Sequence, residues 1–234
     1  MKPNKKQQCL DDLRTRILTM TVEPGANLDE SALAETYGLS RTPLREVLQR
    51  LSGEGFVRIE DNRGAKVASM DLAAMRTFFQ TAPLIYSTAA RLAAEHRTTA
   101  QLDDLKAVQV RFASAVGAAR AADMAIENHR FHELIGDMAA NDYLTPSLRR
   151  LLIDHTRLGQ VFYRPASPAE TMAVKKASDQ HDAMIAAIEA REAGLAVDLT
   201  LQHWELSRDR MERFVRPDPL PLNVVDMKEA RNAL

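Results

Sequence analysis

The stretch from Ser40 to Leu51 restricts the fold of this chain more than any other, because it has the marks of a short, capped helix with two contrasting faces. Ser40 is a favourable N-cap residue, and Pro43 suits the first helical turn. Apolar side chains recur at helical spacing and define one face: Leu44, Val47, Leu48 and Leu51. The segment is therefore predicted to form an amphipathic helix that packs one side onto a core.

The opposite face of this helix is basic and polar, with Arg41, Arg45 and Gln49. A guanidinium group suits guanine edges and phosphates, and a glutamine amide can pair with adenine. A basic amphipathic helix by itself is more often a solvated surface helix. The neighbouring segments decide between these two interpretations.

Those neighbours predict a helix-turn-helix. Apolar residues between positions 10 and 18 outline a first helix, Asp29 can cap a second, and Gly38 supplies a tight turn before Ser40. Two short helices joined by a brief turn containing glycine are typical of DNA-binding helix-turn-helix units.

Two strands are predicted after the third helix, over residues 56–60 and 65–69, around a turn that carries Arg63 at its tip. This hairpin would complete a winged helix within the first 70 residues. If the hairpin is purely structural, a three-helix DNA-binding core remains.

The remainder of the chain is rich in Ala, Leu, Met, Glu and Arg at helical spacing. Six helices are predicted, at about 71–96, 99–119, 121–140, 142–163, 168–192 and 194–215. The fold is thus predicted to be mainly α, with a winged helix-turn-helix domain at 1–70, an all-α six-helix bundle at 71–216, and a C-terminal tail at 217–234.

Composition agrees with a DNA-binding domain joined to a larger one. The chain has 234 residues, a formal net charge of -1 and one cysteine, Cys9, which excludes an internal disulfide and is predicted to be buried in the first helix. The net charge argues against charge-driven coating of nucleic acid, although it leaves room for a basic surface on one helix. No apolar run reaches membrane-spanning length and no signal peptide is visible, so a cytoplasmic location is expected.

Three histidines lean toward the interior of the predicted bundle. His132 follows Asn128 by four positions on one helix face, while His181 and His203 belong to apolar stripes of two other helices. Buried imidazoles need partners, and joint coordination of a divalent metal such as zinc or nickel would supply one. Spacing alone equally allows three separately hydrogen-bonded core histidines.

The N-terminal motifs resemble the winged helix of GntR-type bacterial transcription regulators over residues 9–69. The matching positions are Ile17–Leu18, Pro24–Gly25, Leu28, Glu30, Leu33–Glu35, Gly38–Glu46, Leu48, Leu51, Gly55, Val57 and Arg63–Gly64. The resemblance implies that Arg41 and Arg45 contact an operator, with Thr42 on the DNA backbone and Arg63–Gly64 in or near the minor groove. Ser31 stands where family members commonly carry a base-reading arginine, so operator specificity does not carry over in full.

Residues 71–215 resemble the FCD ligand-binding domain of the FadR subfamily, of the six-helix, VanR-like type. The matching positions are Phe131–His132, Asn141, His181–Ile188 and His203. In many such domains an aspartate and three histidines bind a metal, which implies a divalent-metal site at Asn128, His132, His181 and His203. Asn128 replaces the usual aspartate, and a neutral carboxamide is a weaker ligand than a carboxylate. His129 and His155 fall outside this pattern and are expected at the surface or behind the ligands.

The first helix of the same domain departs from the family in a second way. Ala82 and Tyr86 stand where the family often has an arginine and a glutamate, so the effector contacts cannot be assigned from the resemblance. Four arginines recur along one later helix and are candidates for an anion contact, with a solvated or dimer-surface position favoured: Arg149, Arg150, Arg157 and Arg164.

Together these features predict a regulator, not an enzyme, that binds a pseudo-palindromic double-stranded operator as a homodimer. Its operator affinity would respond to a small-molecule effector, an organic acid or another metabolite, bound near the metal. Two alternatives stay open: a metal-dependent hydrolase, and a DNA-binding dimer without an effector.

Overall fold

The structure, a computed structural model, describes residues 4–60 and 64–215, with side chains up to residue 212. The predicted wing-tip residue Arg63 and the predicted tail at 217–234 lie outside the described residues.

The N-terminal part alternates three helices with three short strands, in the order α1 (Lys5–Leu18), β1 (Asn27–Leu28), α2 (Glu30–Tyr37), α3 (Arg41–Glu54), β2 (Val57–Glu60) and β3 (Gly64–Val67). The strands form one antiparallel sheet in the order β1-β3-β2, with Val57 opposite Val67. Three helices and this hairpin form the predicted winged helix-turn-helix.

Local signals account for most of these boundaries. The Asp29 carboxylate accepts hydrogen bonds from the backbone N–H groups of Ser31 and Ala32 at the start of α2. Gly38 ends that helix in the left-handed conformation, with φ of 60°, which glycine adopts without steric cost. Ser40 is the N-cap residue of α3, although its side chain makes no capping hydrogen bond.

Strand β1 was not predicted. It contains only Asn27 and Leu28, which pair with Lys66 and Ala65 of β3. Two residues are too few to show an alternating apolar pattern, so this strand depends on the position of β3.

The apolar face predicted for α3 does lie in the core of the winged helix. Leu44, Val47, Leu48 and Leu51 are each at most 2% exposed, and they pack with apolar residues of α1 and of the hairpin. Cys9 is fully buried in α1, as predicted.

The six predicted helices of the C-terminal part are all present, at α4 (Leu72–His96), α5 (Thr99–Gly117), α6 (Ala121–Met138), α7 (Leu144–Phe162), α8 (Pro168–Glu189) and α9 (Ala193–Val215). The largest boundary difference is at the end of α8, which stops at Glu189 and not at 192. Pro83 lies inside α4, as predicted. No helix within the described ranges is long and apolar enough to cross a membrane.

Helix α7 of the bundle also contacts the winged helix. Ile153 of α7 is 1% exposed and belongs to the apolar core of the winged helix, and the Gln160 Nε2 atom donates to the Leu18 carbonyl over 3.3 Å. Arg157 corrects the expectation of a solvated or dimer-surface side chain, because its guanidinium is fully buried. The spacing of the arginines along the helix gave no sign of this burial, because the face of α7 that carries Arg157 is covered by the winged helix.

Candidate functional site

The outer face of α3 presents the residues predicted to contact DNA. Arg41, Thr42, Arg45 and Gln49 are all exposed, because the apolar residues between them hold the other face in the core. Arg41 and Thr42 lie in the first turn of α3, and Arg45 and Gln49 follow one and two turns later.

Three of these predicted contacts share one groove beside the hairpin. Arg45, Gln49 and Gly64 line an open groove of about 480 Å³, together with Glu30 and Glu60. Gly64 has φ of 76°, a backbone conformation that favours glycine where the chain enters β3. Arg41 and Thr42 are not among the lining residues of this groove.

The charges on α3 leave Arg41 and Arg45 available for an anionic partner. The carboxylate of Glu46 forms an ion pair with Lys6 of α1, which compensates the acidic residue on the exposed side of the helix. Within residues 4–60 and 64–212, neither Arg41 nor Arg45 forms an ion pair. Two uncompensated guanidinium groups on one exposed face suit binding to phosphates or base edges.

The second group of predicted site residues lies inside the bundle, where α6, α8 and α9 bring His132, His181 and His203 together. Their possible ligand atoms all lie within 4.8 Å of one another. The ring centroids are 5.5 Å apart for His132 and His203, and 4.7 Å apart for His181 and His203. Asn128, one helical turn before His132, is 2% exposed.

Two glutamines that are not among the predicted site residues orient the histidine rings. Gln109 of α5 donates from Nε2 to the Ser178 carbonyl over 3.0 Å, which turns its Oε1 atom toward His181. The His181 Nδ1 atom lies 3.0 Å from that oxygen, and His203 Nδ1 lies 3.2 Å from Gln180 Oε1. Because a carboxamide oxygen only accepts, each Nδ1 carries the proton and each Nε2 keeps its lone pair.

Gln109 did leave a signal in the sequence. It occupies the same helical stripe as Leu105 and Phe112, both fully buried, so a polar residue at that position points into the core. Such a residue needs a partner, and here the partner is His181.

Three polar atoms at the centre of the cluster have no hydrogen-bond partner among the described residues. They are the Oδ1 atom of Asn128 and the Nε2 atoms of His132 and His181. An unsatisfied buried acceptor costs about 1–3 kcal/mol, so these three atoms favour a shared partner at the centre of the cluster. Three imidazoles and a carboxamide are a donor set that fits a metal ion.

The histidines of the cluster are neutral near pH 7. Burial lowers the pKa of His132 and of His181 well below the ordinary value of 6.5, with a further lowering from neighbouring His203. Burial also lowers the pKa of His203 to about 4. Metal coordination requires the unprotonated ring, so these residues need lose no proton to become ligands.

His155 is 6% exposed and lies behind His132, one of the two locations expected for it, with ring centroids 5.6 Å apart. Its Nδ1 atom is 2.6 Å from the Tyr86 hydroxyl oxygen, also buried. Tyr86 stands at the position expected to hold a glutamate, and its hydroxyl is hydrogen-bonded to His155 of α7. His129 is half-buried and contacts the Thr156 hydroxyl over 2.8 Å.

The space beside this cluster is small. His155 and His203 line a cavity of about 10 Å³ between α7 and α9, which matches the room of a single water. Anything larger must displace side chains of these two helices.

Two family descriptions match the chain, one for each part. Residues 5–67 match the bacterial regulatory proteins of the gntR family, and residues 79–206 match the FCD domain.

Individual proteins agree with this division. The chain is 24% identical over 138 residues to the uncharacterized HTH-type transcriptional regulator YdhC of Bacillus subtilis, covering 58% of this chain and 62% of that protein, less than two thirds of its length. It is 24% identical over 197 residues to the HTH-type transcriptional repressor RspR of Escherichia coli, 84% of each chain. The solved structure of E. coli McbR/YncC has a TM-score of 0.76 at 19% identity and covers 91% of this chain and 99% of that one.

Both sequence relatives are described as transcriptional regulators and neither as an enzyme, which agrees with the prediction of a regulator. The structural likeness, at its low identity, shows that the fold is shared. The FCD match alone covers more than half of the chain. The chain therefore belongs to the gntR family of bacterial regulatory proteins, with an FCD domain following its winged helix.

Proposed function

We propose that this protein is a transcription regulator that binds a pseudo-palindromic operator as a homodimer and adjusts its affinity to a ligand in the FCD domain. The division into residues 1–70 and 71–216 separates these two tasks. Two winged helices related by a two-fold axis would read two matching half-sites. Since its DNA target lies in the cytoplasm, we expect the protein there.

The uncompensated arginines of α3 carry the DNA-binding part of this proposal. Arg45 and Gln49 line the groove beside the hairpin and are placed for base edges, while Arg41 and Thr42 at the start of α3 are placed for the backbone. Gly64, with Arg63 before it in the chain, would bring the wing to the minor groove.

The unsatisfied atoms of the histidine cluster carry the metal part. His132, His181 and His203 would hold a divalent ion such as zinc or nickel, with Asn128 Oδ1 as a weaker fourth ligand. Bound there, the ion would join three helices and offer an electrophilic centre to an oxygen of the effector. All four ligands are neutral, so an anionic effector would balance the charge of the ion better than water.

The size of the adjacent cavity favours a particular response to the effector. An organic acid exceeds the room of about 10 Å³ beside His203, so its binding would spread α7 and α9. The same small cavity also supports a second candidate, a DNA-binding dimer in which the metal only stabilises the bundle. The two candidates predict different results when the metal is removed. An effector-responsive regulator changes its operator affinity while it stays folded, whereas a purely structural metal is needed for the bundle to stay folded.

Recovery of bound genomic fragments, with and without a chelator, tests both parts. Purified protein should enrich one short palindrome, and the chelator should change that enrichment while circular dichroism still reports a helical protein. A His132→Ala variant should lose bound metal and the chelator effect, whereas His96→Ala, outside the cluster, should keep both. Loss of helical signal with the chelator would support the purely structural metal. Absence of any enriched sequence would count against operator binding.

A further inference from the structure

Helix α7 carries a run of buried polar residues that the DNA-binding surface and the histidine cluster do not explain. Asp154, His155, Arg157 and Gln160 are each at most 7% exposed. Consecutive positions on a helix turn through about 100°, so His155 and Arg157 project in nearly opposite directions. The helix therefore presents polar groups to two neighbours at once.

One side of α7 meets the histidine cluster. His155 is hydrogen-bonded to Tyr86 and lies against the His132 ring. It also shares the small cavity with His203. A change in that cavity must therefore reach α7 through direct contact.

The other side of α7 holds the winged helix. The Arg157 Nη1 atom donates to the carbonyl of Ala68 over 2.7 Å, just beyond β3, and Nη2 pairs with the Asp154 carboxylate. The Gln160 contact to the carbonyl of Leu18 adds a second attachment, at the end of α1. The Arg157 Nε atom has no partner among the described residues, so the contacts of its two Nη atoms are what compensate the fully buried guanidinium. One of these contacts is to the winged helix, so it depends on how the winged helix sits against α7.

We infer that Arg157, oriented by Asp154, is a positioning residue that fixes the winged helix against α7 and passes changes in the histidine cluster to the operator-binding surface. This role rests on the proposed function, because it requires a ligand-dependent operator affinity. The coupling is local, because α7 contacts both the histidine cluster and the winged helix, and Ala68 directly follows β3 of the hairpin.

The double variant Asp154→Asn, Arg157→Met tests the inference, because it removes both charges together and avoids leaving one of them buried alone. Arg149→Met is the matched control. Arg149 lies on the same helix, but it is exposed and pairs with Glu133 and Asp137 of α6, a helix of the same bundle. For each protein we would measure bound zinc, operator Kd with and without zinc, and amide hydrogen exchange over residues 64–71.

The double variant should bind zinc as the wild type does, while its operator Kd becomes nearly independent of zinc. Amide hydrogen exchange over residues 64–71 should become faster than in the wild type, on the order of tenfold, because the carbonyl of Ala68 loses the hydrogen bond from Arg157. The control should match the wild type in every measurement.

A double variant that keeps the full effect of zinc on operator Kd would overturn the inference. So would unchanged exchange at 64–71, a measurement that requires neither zinc nor DNA. By contrast, a wild-type protein that binds no zinc or no operator contradicts the proposed function, while the exchange result still decides whether Arg157 holds the two domains together.

Discussion

At the scale of single residues, the candidate metal site depends on glutamine side chains that hold the histidine rings so that their Nε2 lone pairs stay free. His181 and His203 keep their Nε2 atoms free because Gln109 and Gln180 accept the protons on Nδ1. Gln109 is itself oriented by the Ser178 carbonyl. The histidines could be proposed from the sequence, whereas the glutamines required contacts between residues as far as 72 positions apart.

Replacing Gln109 by leucine should weaken zinc binding by roughly 10–100-fold. Without Gln109, nothing fixes the proton of His181 on Nδ1 or holds the orientation of its ring. The affinity would be measured by competition with a chromophoric chelator. Gln101→Leu is the control, since Gln101 belongs to the N-terminal cap of α5, about two helical turns before Gln109. Equal zinc affinity for Gln109→Leu and the wild type would remove Gln109 from the site.

On the DNA-binding surface, Arg45→Ala should weaken operator binding by roughly 1–3 kcal/mol if the side chain reads a base. Fluorescence anisotropy with a labelled operator would give the Kd at fixed salt. Arg50→Ala is the matched control, because Arg50 lies on the same helix and carries the same charge but pairs with Glu54. Similar losses of operator affinity in both variants would indicate general attraction between positive charge and DNA and not a contact specific to Arg45.

At the scale of elements, most helix limits follow from local chemistry and were predictable. Capping residues, glycine turns and apolar stripes are properties of neighbouring residues, so the six bundle helices end within a few positions of their predicted limits. Strand β1 escaped prediction because it is defined by its pairing with β3, a segment almost 40 positions away.

The cap of α2 gives a test at this scale. Asp29→Ala should lower the free energy of unfolding by about 1 kcal/mol, because two backbone N–H groups at the start of α2 lose their acceptor. Asp29→Asn should remain close to the wild type, since asparagine caps equally well. Thermal unfolding followed by circular dichroism would compare the three proteins. Identical midpoints for alanine and asparagine would show that the cap contributes nothing.

At the scale of the whole molecule, buried histidines make stability depend on pH. Burial lowers the pKa of His203 to about 4 and that of His155 to about 3, from 6.5. Below about pH 6.5 the unfolded chain therefore binds more protons than the folded chain. The free energy of unfolding of the metal-free protein should fall between pH 6.5 and 4, by about 1.4 kcal/mol per pH unit for each such histidine.

Urea unfolding at pH 7 and pH 5, with a chelator present, would measure this dependence. A His203→Gln variant should lose less stability over the same interval, because one of the titrating groups is gone. If the free energy of unfolding of the variant falls with pH as steeply as that of the wild type, His203 is not buried as a neutral ring in the metal-free protein.

The sequence by itself determined the helices and the β2–β3 hairpin, the exposed basic face of α3 and the three inward histidines, because periodicity and capping are properties of neighbouring residues. It could not determine what each face would meet. Only the tertiary structure placed Gln109 against His181 and turned Arg157 from an expected surface residue into a buried contact with Ala68. Helical spacing fixes the direction in which a side chain points, whereas packing of distant segments decides its partner and therefore its role.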